Sequence, residues 1–143
     1  MATVELRFSP LPEHVRTARL VAAAMARRTG VDEAVLDEVR LAVGEACSRA
    51  VGLHQAGGIT APVRVALIEE EKQFSIEVGD EAPHATVAAP GAPGAAGDPD
   101  AEGEDEMGLA VISGLVDDVE VTADADGGLI RMSWPTLPTT LLP

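Results

Sequence analysis

Apolar side chains recur along this chain with two different periods, and the local period predicts the element. Over residues 3–8 they alternate, so that Val4, Leu6 and Phe8 share one face, as a half-buried strand requires. Ser9, Pro10, Leu11 and Pro12 end that run. From Pro12 or Glu13 to Thr29 the spacing becomes helical, with Val15, Ala18, Ala22 and Met25 in one stripe. Pro12 suits a first helical position, Glu13 complements the N-terminal end of the dipole, and Arg27 and Arg28 complement the other end. Gly30 is the expected C-terminal cap. A second helix is predicted from about Asp32 to His54, with Leu36, Val39, Val43, Ala46 and Ala50 as its apolar stripe and Gly57-Gly58 beyond its end. Alternation returns in Val63, Val65 and Leu67, and again in Phe74, Ile76 and Val78. A turn at Glu70, Glu71 and Lys72 would join these as an antiparallel hairpin.

Residues 81–106 break the pattern. They are rich in Ala, Gly, Pro and acidic residues and almost lack large apolar ones, so they cannot bury enough surface to offset the entropy of ordering. A long mobile loop is expected, either a solvated linker or a functional segment. Order is predicted again from Met107. Gly108 to Leu115 gives a short helix with Leu109, Ile112 and Leu115 on one side. Strands follow at 117–123 and 128–134, joined by a turn over Asp124, Ala125, Asp126, Gly127 and Gly128. Val119 and Val121 face one way, as do Ile130, Met132 and Trp134. The sum is an α+β chain: a two-layer α/β sandwich whose mixed, mostly antiparallel sheet is covered by helices on one face. Residues 1–135 would form a single domain, with the 81–106 loop inside it and 136–143 as a flexible tail.

Composition narrows the partners. The chain has 143 residues, enough for one domain with a true core. Its formal charge of −14 argues against binding a phosphate backbone or an anionic membrane, because both need clustered cations. No apolar run approaches the roughly 18 residues that cross a bilayer. The start of the sequence lacks a basic stretch followed by an apolar one, so a cytoplasmic location is expected. Nine Arg against one Lys, with abundant Ala and Gly, is the composition of a high-GC genome of actinobacterial type.

Few residues suggest chemistry. His14, His54 and His84 lie in separate segments without metal-ligand spacing, and the single cysteine, Cys47, excludes an internal disulfide and a cysteine zinc site. Cys47 follows Ala46 in mid-helix, where a small buried thiol is expected rather than a nucleophile. Ser48 and Ser113 lack a nucleophile-elbow context, and Gly91, Gly94 and Gly97 are not followed by the Gly-Lys-Ser/Thr of a phosphate loop. Glu45 stands four residues before Arg49 and seven after Glu38, on one side of the second helix. Spacing alone leaves two readings of it: an exposed ion pair with Arg49, or a carboxylate available for chemistry.

Four stretches together resemble one family. Leu36–Val51, LDEVRLAVGEACSRAV, is similar to the second-helix signature of bacterial anti-sigma factors of the serine-kinase type, within the Bergerat-fold, histidine-kinase-like ATPase superfamily. Pro12–Arg19, PEHVRTAR, resembles the family's opening helix. Ile76–Asp80, IEVGD, resembles the strand ending in an adenine-reading aspartate. Met107–Val121, MGLAVISGLVDDVEV, resembles the glycine-led helix and the strand after it. The resemblance runs from residue 3 to 134 and implies Glu45 as the general base of a serine kinase, Asp80 and Gly108 as nucleotide contacts, and Arg19, with Arg16 one turn earlier, as a sigma-factor contact. It also implies a homodimer through the sheet edge and first-helix region, and release of the sigma factor by a STAS-domain anti-anti-sigma partner.

The same comparison shows departures. Arg49 stands where the family has a magnesium-binding asparagine, and a guanidinium has no acceptor atom to offer a metal. Glu81, Ala82, Pro83 and His84 follow Asp80 where glycines are expected, and Asp98, Asp100, Glu102, Glu104, Asp105 and Glu106 precede Gly108. The resemblance with these departures implies an anti-sigma factor that binds stoichiometrically, with no metal and no cofactor. The alternative is an active kinase using ATP and Mg²⁺. A third possibility is a site that takes another small molecule or the acidic loop, with Arg49 closing the cavity.

Overall fold

The computed structural model describes residues 2–83, 109–116 and 118–136. Most of the expected 81–106 loop, Gly108 and nearly all of the expected tail lie outside the described residues. The elements in order are strand β1 (Thr3–Phe8), helix α1 (Glu13–Thr29), helix α2 (Leu36–Ala56), strands β2 (Val63–Glu69) and β3 (Gln73–Asp80), helix α3 (109–115), and strands β4 (Asp118–Asp124) and β5 (Gly127–Pro135). The sheet order is β1-β2-β3-β5-β4 and every pairing is antiparallel.

Both helix stripes are buried as their spacing requires: Val15, Ala18, Ala22 and Met25 in α1, and Leu36, Val39, Val43, Ala46 and Ala50 in α2. Gly30 caps α1 in the left-handed region at φ 99°. Pro12 takes the N-cap position, one residue before the helix, instead of its first turn. Between the helices, Asp32 accepts the backbone N–H of Ala34 at 3.1 Å and starts a 3₁₀ turn at Glu33–Val35, so α2 proper begins at Leu36, four residues later than the spacing suggested.

The helices lie on the face of the sheet that carries Val63, Val65, Leu67, Phe74, Ile76, Val78, Ile130, Met132 and Trp134, all buried. Ile112 of α3 and the adjacent Val116 complete this core. Trp134 stacks on Phe74 with ring centroids 6.4 Å apart, and its indole N–H has no hydrogen-bond partner among the described residues. At the sheet margins the alternation persists but burial falls away. Val4 in β1 and Val121 in β4 are 38% and 42% exposed, because the helical layer covers the centre and not the edges. The opposite face is polar. Arg131 reaches Glu70 at 2.6 Å and Glu77 at 3.1 Å, and lies over the buried Ser75, which in turn meets Ser133 at 2.9 Å.

The β4–β5 turn is tighter than the five residues expected. Asp124 pairs with Gly127 in the ladder, leaving Ala125 and Asp126 as the loop, and Asp124 Oδ1 accepts the N–H groups of Asp126 and Gly127. Gly127 has φ 157°, and a Cβ there would meet the Asp80 carbonyl oxygen at 2.2 Å. Only glycine allows the hairpin to press against the end of β3. Among the described residues no helix is long and apolar enough to cross a membrane.

Cys47 is fully buried in α2, and burial pushes its thiol up from 9.0 to about 12. At pH 8 the folded chain holds Cys47 as the unreactive thiol. A disulfide reagent is therefore expected to label Cys47 only on unfolding, at a rate that follows denaturant-induced opening. The folded chain holds this proton more tightly than the unfolded chain, so the thiol lowers stability as pH rises above about 9.

Candidate functional site

Helix α2 presents three polar side chains in successive positions of one surface. Glu45 is half-buried, Ser48 is exposed, and Arg49 turns inward. Glu45 and Ser48 border a groove of about 470 Å³ between α1 and α2. The α1 wall contributes Glu13, Arg16 and Arg19, and Leu41, 55% exposed, supplies an apolar border on the α2 side. The fold thus brings Glu45, Arg16 and Arg19, expected separately as base and partner contacts, into one groove.

Gly44 makes that groove possible. A Cβ at this position would sit 2.8 Å from Arg19 Cδ and 3.5 Å from its Cγ, so the aliphatic stem of Arg19 lies directly over the bare backbone of α2. Gly44→Ala is expected to leave the fold intact, since alanine favours a helix interior by roughly 0.8–1.0 kcal/mol over glycine. It should displace the Arg19 stem. The check is a shift in the Arg19 Nε–H resonance without loss of thermal stability.

Asp80 stands elsewhere, at the end of β3, and is buried. Its Oδ1 accepts the Ala82 N–H at 3.0 Å, closing a turn just past the strand. Its Oδ2 lies 3.9 Å from Arg49 Nη1, and the two side chains are only 3% and 7% exposed. Arg49 is therefore a buried cation facing a buried carboxylate, and not simply the exposed partner of Glu45 that helical spacing allowed. The Arg49 guanidinium itself has only donors and gives a metal ion no ligand. No group of His, Cys, Asp and Glu side chains among the described residues could hold a metal ion. Gly108, the remaining expected contact, lies outside the described residues.

Asp80 and Glu81 also border a second, shallow groove of about 360 Å³ with Arg64, Asp124, Asp126 and Gly127. Two residues that shape this region escaped sequence reasoning. The sequence shows Gly127 only as a turn glycine, although its contact is with Asp80. His54 lacks ligand spacing, yet it continues the Ala46, Ala50 stripe by four residues and is completely buried. That continuation was the available signal.

A search of curated proteins finds no significant match. Among solved structures, the crystal structure of the RsbU and RsbW domains of Rv1364c from Mycobacterium tuberculosis is similar, with a TM-score of 0.69 at 16% sequence identity. The match covers 96% of this chain and 33% of that one, so the likeness is one of fold, and this chain spans a third of the larger protein. The family model described as histidine kinase-like ATPase domain matches residues 8–134, nearly the whole chain, taking in α1, α2, α3, the strands β2 to β4 and nearly all of β5, with Glu45, Arg49 and Asp80. On that match, the chain belongs to the histidine kinase-like ATPase domain family.

Proposed function

We propose that this chain is a cytoplasmic anti-sigma factor that sequesters an alternative sigma factor by stoichiometric binding, is released by a STAS-domain anti-anti-sigma partner, and has lost ATP binding. The RsbW domain in the structural neighbour supports the partner-switching part. The observation that carries the loss of ATP is the burial of Arg49 against Asp80. In this family setting Asp80 would read the base and position 49 would hold the metal. Here one residue supplies a fixed cation at the metal position and engages the base-reading carboxylate, so the residues present do not fit a magnesium nucleotide.

In this reading Arg16 and Arg19 make the partner contact from the α1–α2 groove, two cations on a chain of formal charge −14. A homodimer through the sheet edge and the α1 region belongs to the same reading. The experiment is reconstitution from purified parts: the chain, the sigma factors of its genome and the STAS-domain protein, with and without ATP. Sigma capture, and release by the STAS protein without nucleotide, is expected. Failure to capture any sigma factor would overturn the proposal.

A second reading is favoured by one observation, the half-buried Glu45 opening onto the groove beside Ser48. There it would accept the proton of a serine on the STAS partner, as an active kinase requires. Transfer of labelled phosphate to that partner is the outcome that would establish it.

A further inference from the structure

Near its end α2 carries a histidine that neither groove uses. His54 is fully buried, and both ring nitrogens are engaged. Nδ1 lies 2.9 Å from the Ala61 carbonyl oxygen, in the connection between α2 and β2. Nε2 accepts the backbone N–H of Glu81 at 2.9 Å. A carbonyl can only accept and a main-chain N–H can only donate. The two contacts together require a neutral ring with its proton on Nδ1. Moving that proton to Nε2 would point two N–H groups at each other and leave a buried carbonyl without a donor.

The residue held by Nε2 directly follows Asp80. Residues 80–82 are anchored from three directions: by His54 at Glu81, by Asp80 itself at Ala82, and by Gly127 pressed on the Asp80 carbonyl. Arg49 leaves the same helix little more than a turn before His54. One helix therefore grips the end of β3 twice, by its main chain through His54 and by its carboxylate through Arg49.

We infer that His54 is a positioning residue: its Nδ1–H ring fixes the end of β3 and so holds the Asp80 carboxylate against Arg49. The inference rests on the reading that the Arg49–Asp80 pair closes the nucleotide site. Two variants separate positioning from filling of space. His54→Gln can place an amide oxygen near the former Nε2 and keep the bond from Glu81. His54→Asn is too short for that, although it can still reach Ala61.

The test uses the full chain with nitrogen-15 labelling. Ring correlation spectra of the native protein are expected to show the proton on Nδ1. Exchange of the Glu81 amide should be about tenfold faster or more in His54→Asn and close to native in His54→Gln, with Ile76 in mid-strand unchanged in both. A proton on Nε2, or a Glu81 amide indifferent to His54→Asn, would overturn the inference. The tautomer is read on the native chain and decides even if a variant fails to fold. In an Arg49→Asn background, His54→Asn should weaken ATP-Mg binding about tenfold while His54→Gln does not. If Arg49→Asn alone binds no nucleotide, the closed-site reading fails, while tautomer and exchange still decide the role of His54.

Discussion

On the proposed function the native chain should give no heat with ATP-Mg, and Arg49→Asn is expected to bind it. The substitution removes the buried cation facing Asp80 and supplies an amide oxygen, a possible metal ligand, at the same position. It should also destabilise. Breaking a buried ion pair by removing one partner costs about 3–5 kcal/mol, because the other charge stays buried. The 3.9 Å separation of Arg49 and Asp80 is that of a loose pair, which places the expected cost at the low end of that range. Nucleotide should then restore stability: at a hundred times its dissociation constant a ligand returns about 2.7 kcal/mol. Calorimetry and thermal melting with and without ATP-Mg, on both proteins, check this. A folded Arg49→Asn that ignores ATP would show that the site is lost for other reasons. Micromolar binding by the native chain would show that Arg49 is no obstacle, and would move the kinase reading to first place.

The second large effect is expected in the α1–α2 groove. Arg19→Glu should weaken the proposed sigma complex at least about thirtyfold, the scale of an interface hot spot of two or more kcal/mol. Its stem is held over Gly44, so its charge is presented in a defined place rather than spread over many rotamers. Arg16→Glu, on the same wall, should cost about tenfold. Arg28→Glu in the last turn of α1 is the control, since it changes the net charge equally away from the groove. Equal losses in all three would mean that the charge acts through the overall field of the chain and not through the groove.

Periodicity carried most of the fold. The stripes of α1 and α2 and the alternation in β2, β3 and β5 all proved buried, because each expresses a single local rule about which side of an element meets the core. The exposure of Val4 and Val121 was not legible. They obey the same alternation as their neighbours, and only the reach of the helical layer distinguishes them. The expected β4–β5 turn is longer than the observed one because Asp124 and Gly127 are turn-favouring residue types while their backbones remain in the ladder. At the candidate site, Glu45 and Arg49 were visible as helix neighbours, yet their roles diverge. Which way Arg49 points depends on Asp80, a residue on another element that no local pattern ties to α2. The same holds for His54, whose partners lie in two different connections.

The stacking of Trp134 on Phe74 has an optical consequence. The chain has one tryptophan and no tyrosine, so the intrinsic emission excited at the long-wavelength edge of its absorption, beyond the phenylalanine band, comes from a single indole. That indole is 4% exposed and its N–H has no hydrogen-bond partner among the described residues, an environment that yields blue-shifted emission. Arg16, Arg19 and Glu45 border a groove that does not include it. A partner docking there should leave the emission of this chain nearly unchanged. Separation of the helices from the sheet should shift it to the red. The molecule thus contains its own fluorophore, silent to binding and sensitive to opening of the core, with which the two kinds of event can be told apart without a label.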